Sequence, residues 1–127
     1  MAKGDDLEEL LIDFAVQVTR VCGSLPQTAA GQHVGNQSSR CGTSPAANYG
    51  EARAAVSKRD FAHKLRIASK ELDKSRIWLK IIVQTELLPS ERLAELIDKS
   101  EQLCRIVGAS IQTAQRELSN QQFAVHH

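Results

Sequence analysis

No part of this chain has the roughly 18 consecutive apolar residues that a membrane span requires, so no membrane role is expected. Aromatic residues are 4% of the 127 residues, which leaves little material for base-stacking platforms. No stretch alternates apolar and polar residues as a half-buried strand would, and there is no internal repeat or low-complexity tract. Cys22, Cys41 and Cys104 are an odd number at wide spacing. They fit reduced, packed thiols in the cytoplasm better than a disulfide framework. Cys-x-x-Cys is absent, and His33 stands eight residues from Cys41, so the chain has no zinc signature. It also lacks Glu-x-x-His; the nearest relative, Asp60-Phe61-Ala62-His63, is a single copy read as a capping Asp and a solvated His. Neither Gly-x-Gly-x-x-Gly nor a phosphate loop ending in Gly-Lys-Ser/Thr occurs. Spacing does not forbid a Cys–His pair, but nothing supports one. No cofactor, metal or enzymatic activity is therefore expected.

Bulk charge points to no class of partner, because 16 Lys and Arg face 15 Asp and Glu, for a net +1. With 42% hydrophobic and 24% charged residues, the composition is that of one ordinary globular domain, long enough to fold without staples. The opening Met1-Ala2-Lys3-Gly4-Asp5-Asp6 is acidic and unlike a secretory signal.

What is present is helical periodicity. From about residue 5 to 22, Leu7, Leu10, Leu11, Phe14, Ala15, Val18, Val21 and Cys22 recur at three and four, and early carboxylates suit the helix dipole. Residues 28–56 are rich in Ala and Gly with Pro45 in the middle. They predict one long helix kinked near Gly42–Pro45, or two shorter helices. Ser57 and Asp60 resemble a capping box opening a third helix, 58–87. There Phe61, Leu65, Ala68, Leu72, Leu79 and Ile82 form a stripe, with Ser75 in its remaining place. Pro89 opens a fourth helix, 89–119, and 120–127 reads as a frayed tail in which His126 and His127 receive no role. Four helices with short connections predict an all-α, antiparallel up-down-up-down four-helix bundle filling residues 1–127.

Two surfaces of the third helix carry the functional expectations. Ile67, Ile77, Trp78 and Ile81 lie off the inward stripe. They are either covered by the second helix or form a contact with another copy, with small residues of the second helix as partners. The same helix holds eight cations from Lys58 to Lys80 against three carboxylates. Lys58, Arg59, Arg66, Lys70, Lys74 and Lys80 are either a strip for RNA or DNA phosphates, or a face paired with acidic neighbours, including the acidic first helix of another subunit.

The run Ser39-Arg40-Cys41-Gly42-Thr43-Ser44-Pro45-Ala46-Ala47-Asn48-Tyr49-Gly50-Glu51-Ala52 resembles the Arg-Ser-x-Thr-Ser-x-x-Ala-Asn-x-x-Glu-Ala/Gly signature of the bundle proteins named after the 23S rRNA intervening sequence. The blocks from Ser57 to Ala68 and from Ser69 to Leu79 are similar to those that follow in that family. Cys41, beside Gly42, and Gly50 depart from its usual residues. The resemblance implies an antiparallel four-helix bundle that assembles into pentameric rings, with no established activity for most members. It also implies kinship with a branch of retroelement accessory proteins, which bind nucleic acid and a reverse transcriptase. Carried over, Arg40, Ser44, Pro45, Asn48 and Glu51 are signature residues. Ser44 and Asn48 are expected to satisfy backbone groups that Pro45 frees, and Glu51 to pair with Arg40 or a basic residue of the third helix. The expected function is a non-enzymatic, homo-oligomeric scaffold with an unidentified protein partner; the alternative is nucleic-acid binding.

Overall fold

The computed structural model describes residues 3–126. Four helices follow one another: α1 (Lys3–Gly23), α2 (Ala29–Arg53), α3 (Lys58–Gln84) and α4 (Ser90–His126), with no strand among the described residues. Each packs on the next, and a thinner α1–α4 seam closes the bundle. The antiparallel course shows in the ion pairs. Arg53, at the end of α2, reaches Asp5 near the start of α1 at 2.8 Å, and Lys80 of α3 meets Glu101 of α4 at 3.8 Å.

Local chemistry sets the helix ends. The hydroxyls of Thr28 and Ser57 accept the amides of Gly31 and Asp60, each at 3.0 Å, satisfying N–H groups that a first turn leaves free. Helix α2 stops at Arg53 rather than 56, because the Ser57 cap holds extended backbone (φ −144, ψ 158) just ahead of α3. Helix α3 stops at Gln84 rather than 87. There the amides of Glu86 and Leu87 turn back to the carbonyls of Val83 and Ile82 at 3.0 and 3.1 Å, a Schellman closure. Glu86 takes the left-handed position at φ 59, where glycine is the usual occupant. The largest correction is at the C-terminus. No frayed tail begins at Asn120; α4 continues as helix to His126, because no Gly or Pro follows Gly108 and helix formers dominate the segment. His127 lies outside the described residues.

The core is a set of layers in which three helices supply large-residue stripes and α2 supplies small residues. Leu11, Phe14 and Val18 of α1, Leu65, Leu72, Leu79 and Ile82 of α3, and Leu93 and Val107 of α4 are fully enclosed. Leu10, expected inside, is instead half-exposed at the α1–α4 seam. Helix α2 contributes Gly31, Val34, Ser38, Cys41, Gly42, Pro45, Tyr49 and Ala52, and it runs through Pro45 as one uninterrupted helix. Three buried serines lie among these stripes. Ser75 and Ser100 donate to the carbonyls of Glu71 (3.0 Å) and Ile97 (2.6 Å), as serines within helices do. The Ser38 hydroxyl has no partner among the described residues.

The smallness of α2 has a steric purpose. A Cβ on Gly31 would run into the carbonyl oxygen of Pro26. A Cβ on Gly42 would stand 2.6 Å from Cγ1 of the fully buried Val18, a stiff β-branched side chain with no room to retreat. Gly50 has open space at the same place. Gly42→Ala is therefore expected to destabilise the fold by about 1 kcal/mol, an overpacking cost of roughly 1–3 offset by about 1 of helix propensity. Gly50→Ala should stabilise it by about 0.5–1 kcal/mol through propensity alone. Urea denaturation of the pair reads the opposite signs.

Candidate interaction surfaces

Helix α3 presents four sides, and its cations divide among them. Toward α2, Lys64 donates to Glu51 at 2.9 Å, a bond that raises the lysine's pKa. Toward α4, Lys58 faces Glu117 and Lys80 faces Glu101, each at 3.8 Å. Along the helix itself Lys74 pairs with Glu71 (3.2 Å) and Arg76 with Asp73 (3.0 Å). Of the six cations expected to meet phosphates, Lys58, Lys74 and Lys80 thus have carboxylate partners. Arg59, Arg66 and Lys70 have none among the described residues. They share the outward side of α3 with His63, and Arg59, His63 and Arg66 line one open depression with Ser57 and Asp60.

The apolar group of α3 divides as well. Trp78 is half-buried against the core and takes His33 of α2 edge-on, ring centroids 5.8 Å apart. Ile67 and Ile81 are also half-buried, whereas Ile77 is 45% exposed. Helix α2 therefore covers part of this surface and leaves Ile77 on the outward side.

The signature residues serve α2 and its neighbours rather than converging on one spot. Pro45 is fully buried. The Asn48 amide donates to the hydroxyl of Ser44 at 2.9 Å and to its carbonyl at 3.1 Å. That corrects the expectation in detail, since the carbonyl deprived of its amide donor by Pro45 is Cys41's, four residues back. Glu51 pairs with Lys64, not with Arg40, which is exposed and holds no ion pair among the described residues. Loss of these part-buried bonds in Asn48→Ala is expected to cost about 1 kcal/mol, a fall of roughly 3–6 °C in Tm for a domain of this size. Calorimetry checks the fall, and sedimentation should show the assembly state unchanged.

Helix α1 carries a further surface, outside the expectations drawn from the sequence. Ile12 and Val16 are 49% and 40% exposed and lie beside Ala15, Thr19, Arg20 and Ala46. The signal was available, since positions 12 and 16 fall off the stripe of Leu7, Leu11, Phe14 and Val18. Around them Asp6 and Glu9 are exposed with no ion pair among the described residues, whereas Asp5 and Glu8 are held by Arg53.

The thiols show no sign of activation. Cys22, Cys41 and Cys104 are free, and desolvation raises the pKa of each; the Glu71 carboxylate raises that of Cys41 further. A raised pKa keeps the thiol protonated, opposite to what a nucleophile needs. Among the described residues no cluster of three His, Cys, Asp or Glu is placed to hold a metal, and no helix is long and apolar enough to cross a membrane. At pH 8 the folded protein should react with a thiol reagent far more slowly than the urea-unfolded chain, with buried Cys41 slowest. Stability should fall as pH rises past the ordinary thiol value of 9.0, because the unfolded chain loses those protons first.

Fold and surface together define a class: an all-helical four-helix bundle whose polar and apolar features lie on open helix faces. Residues 8–109 match the family described as 23S rRNA-intervening sequence protein, and the chain belongs to that family. A crystal structure of a protein of unknown function from the S23 ribosomal protein family of Bacteroides thetaiotaomicron is similar over 87% of this chain and 99% of that one, with 28% identity and a TM-score of 0.81. No curated protein matches the chain.

Proposed function

We propose that the protein is a non-enzymatic interaction module that works as a homo-oligomer, the pentameric ring that membership in its family implies. The observation behind this reading is the pair of outward faces on a slender bundle: Ile12 and Val16 on α1 near the unpaired Glu9 and Arg20, and Ile77 on α3, on the side that also carries the unpaired Arg59, Arg66 and Lys70. Exposed aliphatic residues among uncompensated charges are the composition of an association surface. Ile67, Ile77, Trp78 and Ile81 remain its candidates on α3, with Ile77 the most accessible. Sedimentation equilibrium should give a particle about five times the 14.0 kDa chain. Ile77→Asp, which leaves the core untouched, should lower that mass at unchanged helicity. A wild-type monomer at micromolar concentration would refute the reading.

A second reading has its own observation in the unneutralised Arg59, Arg66 and Lys70, which would meet phosphates if left open. Fluorescence anisotropy with structured RNA and duplex DNA tests it. Binding that weakens steeply with salt and is lost in Arg59→Glu/Lys70→Glu supports it; no binding at low salt removes it.

A further inference from the structure

Helices α1 and α3 are not neighbours; they lie diagonally across the bundle, each against α2 and α4. Their outward sides therefore face opposite directions. On α1, Asp6, Glu9, Asp13 and Arg20 form one exposed stripe at 100° per residue. On α3, Arg59, His63, Arg66 and Asp73 form another, exposed except for half-buried Arg66. The spacings are three, four and seven residues on α1 and four, three and seven on α3. The signs oppose along the length: three carboxylates and then a cation, against arginine, histidine, arginine and then a carboxylate.

The two stripes also stand at the same level in the bundle. At one end Arg53 of α2 holds Asp5 and Glu8, while Glu51, half a turn earlier, holds Lys64. The first turns of α1 are thus level with the first turns of α3. Toward the other end Gly35 of α2 lies against Leu25, just past α1, and nearby His33 lies against Trp78 of α3. A second copy beside the first, related by rotation about an axis parallel to the bundle, needs no slide along that axis. It brings Asp6 to Arg59, Glu9 to His63, Asp13 to Arg66 and Arg20 to Asp73. Ile12 and Val16 then rest on the alkyl stems of Arg66 and Lys70.

We propose that α1 of one copy docks in parallel against α3 of the next, and that this is the contact from which the assembly is built. It rests on the self-association reading and names the two surfaces involved. The contact joins unlike faces, so each copy keeps one free face for a further neighbour, and repetition closes when the rotation allows. Asp13 keeps its bond to Gln17 (2.8 Å) and its proximity to Lys99 (3.9 Å), and Asp73 its pair with Arg76. Asp6, Glu9, Arg20, Arg59, His63 and Arg66 hold no ion pair among the described residues, and they are the groups the neighbour would satisfy.

Two charge reversals test the docking. Asp6→Lys/Asp13→Lys changes one face, and Arg59→Glu/Arg66→Glu the other, on side chains outside the core; circular dichroism checks that each variant stays folded. Each alone should sediment well below the wild-type mass, with at least a tenfold weaker assembly. An equimolar mixture should form particles heavier than either variant alone, because each reversed face then meets its complement, although strict alternation of the two cannot close a ring of five. A chain carrying all four changes should assemble by itself. Variants that keep the wild-type mass, a mixture that gains no mass over either variant alone, or a four-change chain that stays small overturn the docking while leaving self-association standing. A monomeric wild-type protein overturns both. If Arg59→Glu/Arg66→Glu keeps its mass but loses a duplex RNA probe, the stripe is a phosphate surface and the docking is wrong.

Discussion

The seating of Val18 against Gly42 is the contact on which the arrangement of the other side chains depends. Because α2 offers no Cβ there, α1 settles close and at one level, and a shift by a turn would bring a larger residue under Val18. With that level set, Arg53 falls beside Asp5 and Glu8, and Glu51 beside Lys64. None of these exposed pairs is a large stabiliser by itself. They follow from the register that the steric fit imposes, and their geometry records it.

The same fit explains the slender cross-section and the crowded exterior. A helix dominated by Gly, Ala and Ser adds little width, so the stripes of α1 and α3 settle close against it while α4 closes the far side. Residues beyond those stripes must face outward. Helix α3 shows the result: its inward residues are fully enclosed, its flanks pair with α2 and α4, and the charge left over gathers on the one side that no helix of the same chain reaches. Helix α1 repeats the pattern with the opposite sign. A monomer that segregates uncompensated charge onto opposite faces carries an electrostatic bias toward ordered association, since potentials of opposite sign steer encounter and penalise the wrong face.

Much of the fold is legible in the sequence because amphipathic periodicity is a local property. The stripe from Leu65 to Ile82, the caps at Thr28 and Ser57 and the breaks near Pro26 and Pro89 each depend on residues a few positions apart. The full extent of α4 is harder to see, because the polarity after Ser119 resembles that of a fraying end although nothing after Gly108 stops a helix. The signature around Asn48 is legible as structural, but its partners are not. Whether Glu51 meets Arg40 or Lys64 depends on which turn of α3 lies opposite. Leu10 differs for a related reason: its position on the helical wheel is near the inward stripe, and only the thin α1–α4 seam leaves it half outside.

Four helices, their inward faces and the small-residue character of α2 thus follow from the order of residues, because helix propensity, capping and 3.6-residue periodicity act over one or two turns. Packing was needed to settle which of the eight cations on α3 are neutralised, and that Trp78 packs against the core and meets His33 edge-on. Packing also placed the acidic stripe of α1 and the basic stripe of α3 level with each other on opposite sides. Those outcomes depend on the relative heights of helices far apart in the chain. The heights come from how the side chains interlock, a property of the packed whole that no local pattern encodes.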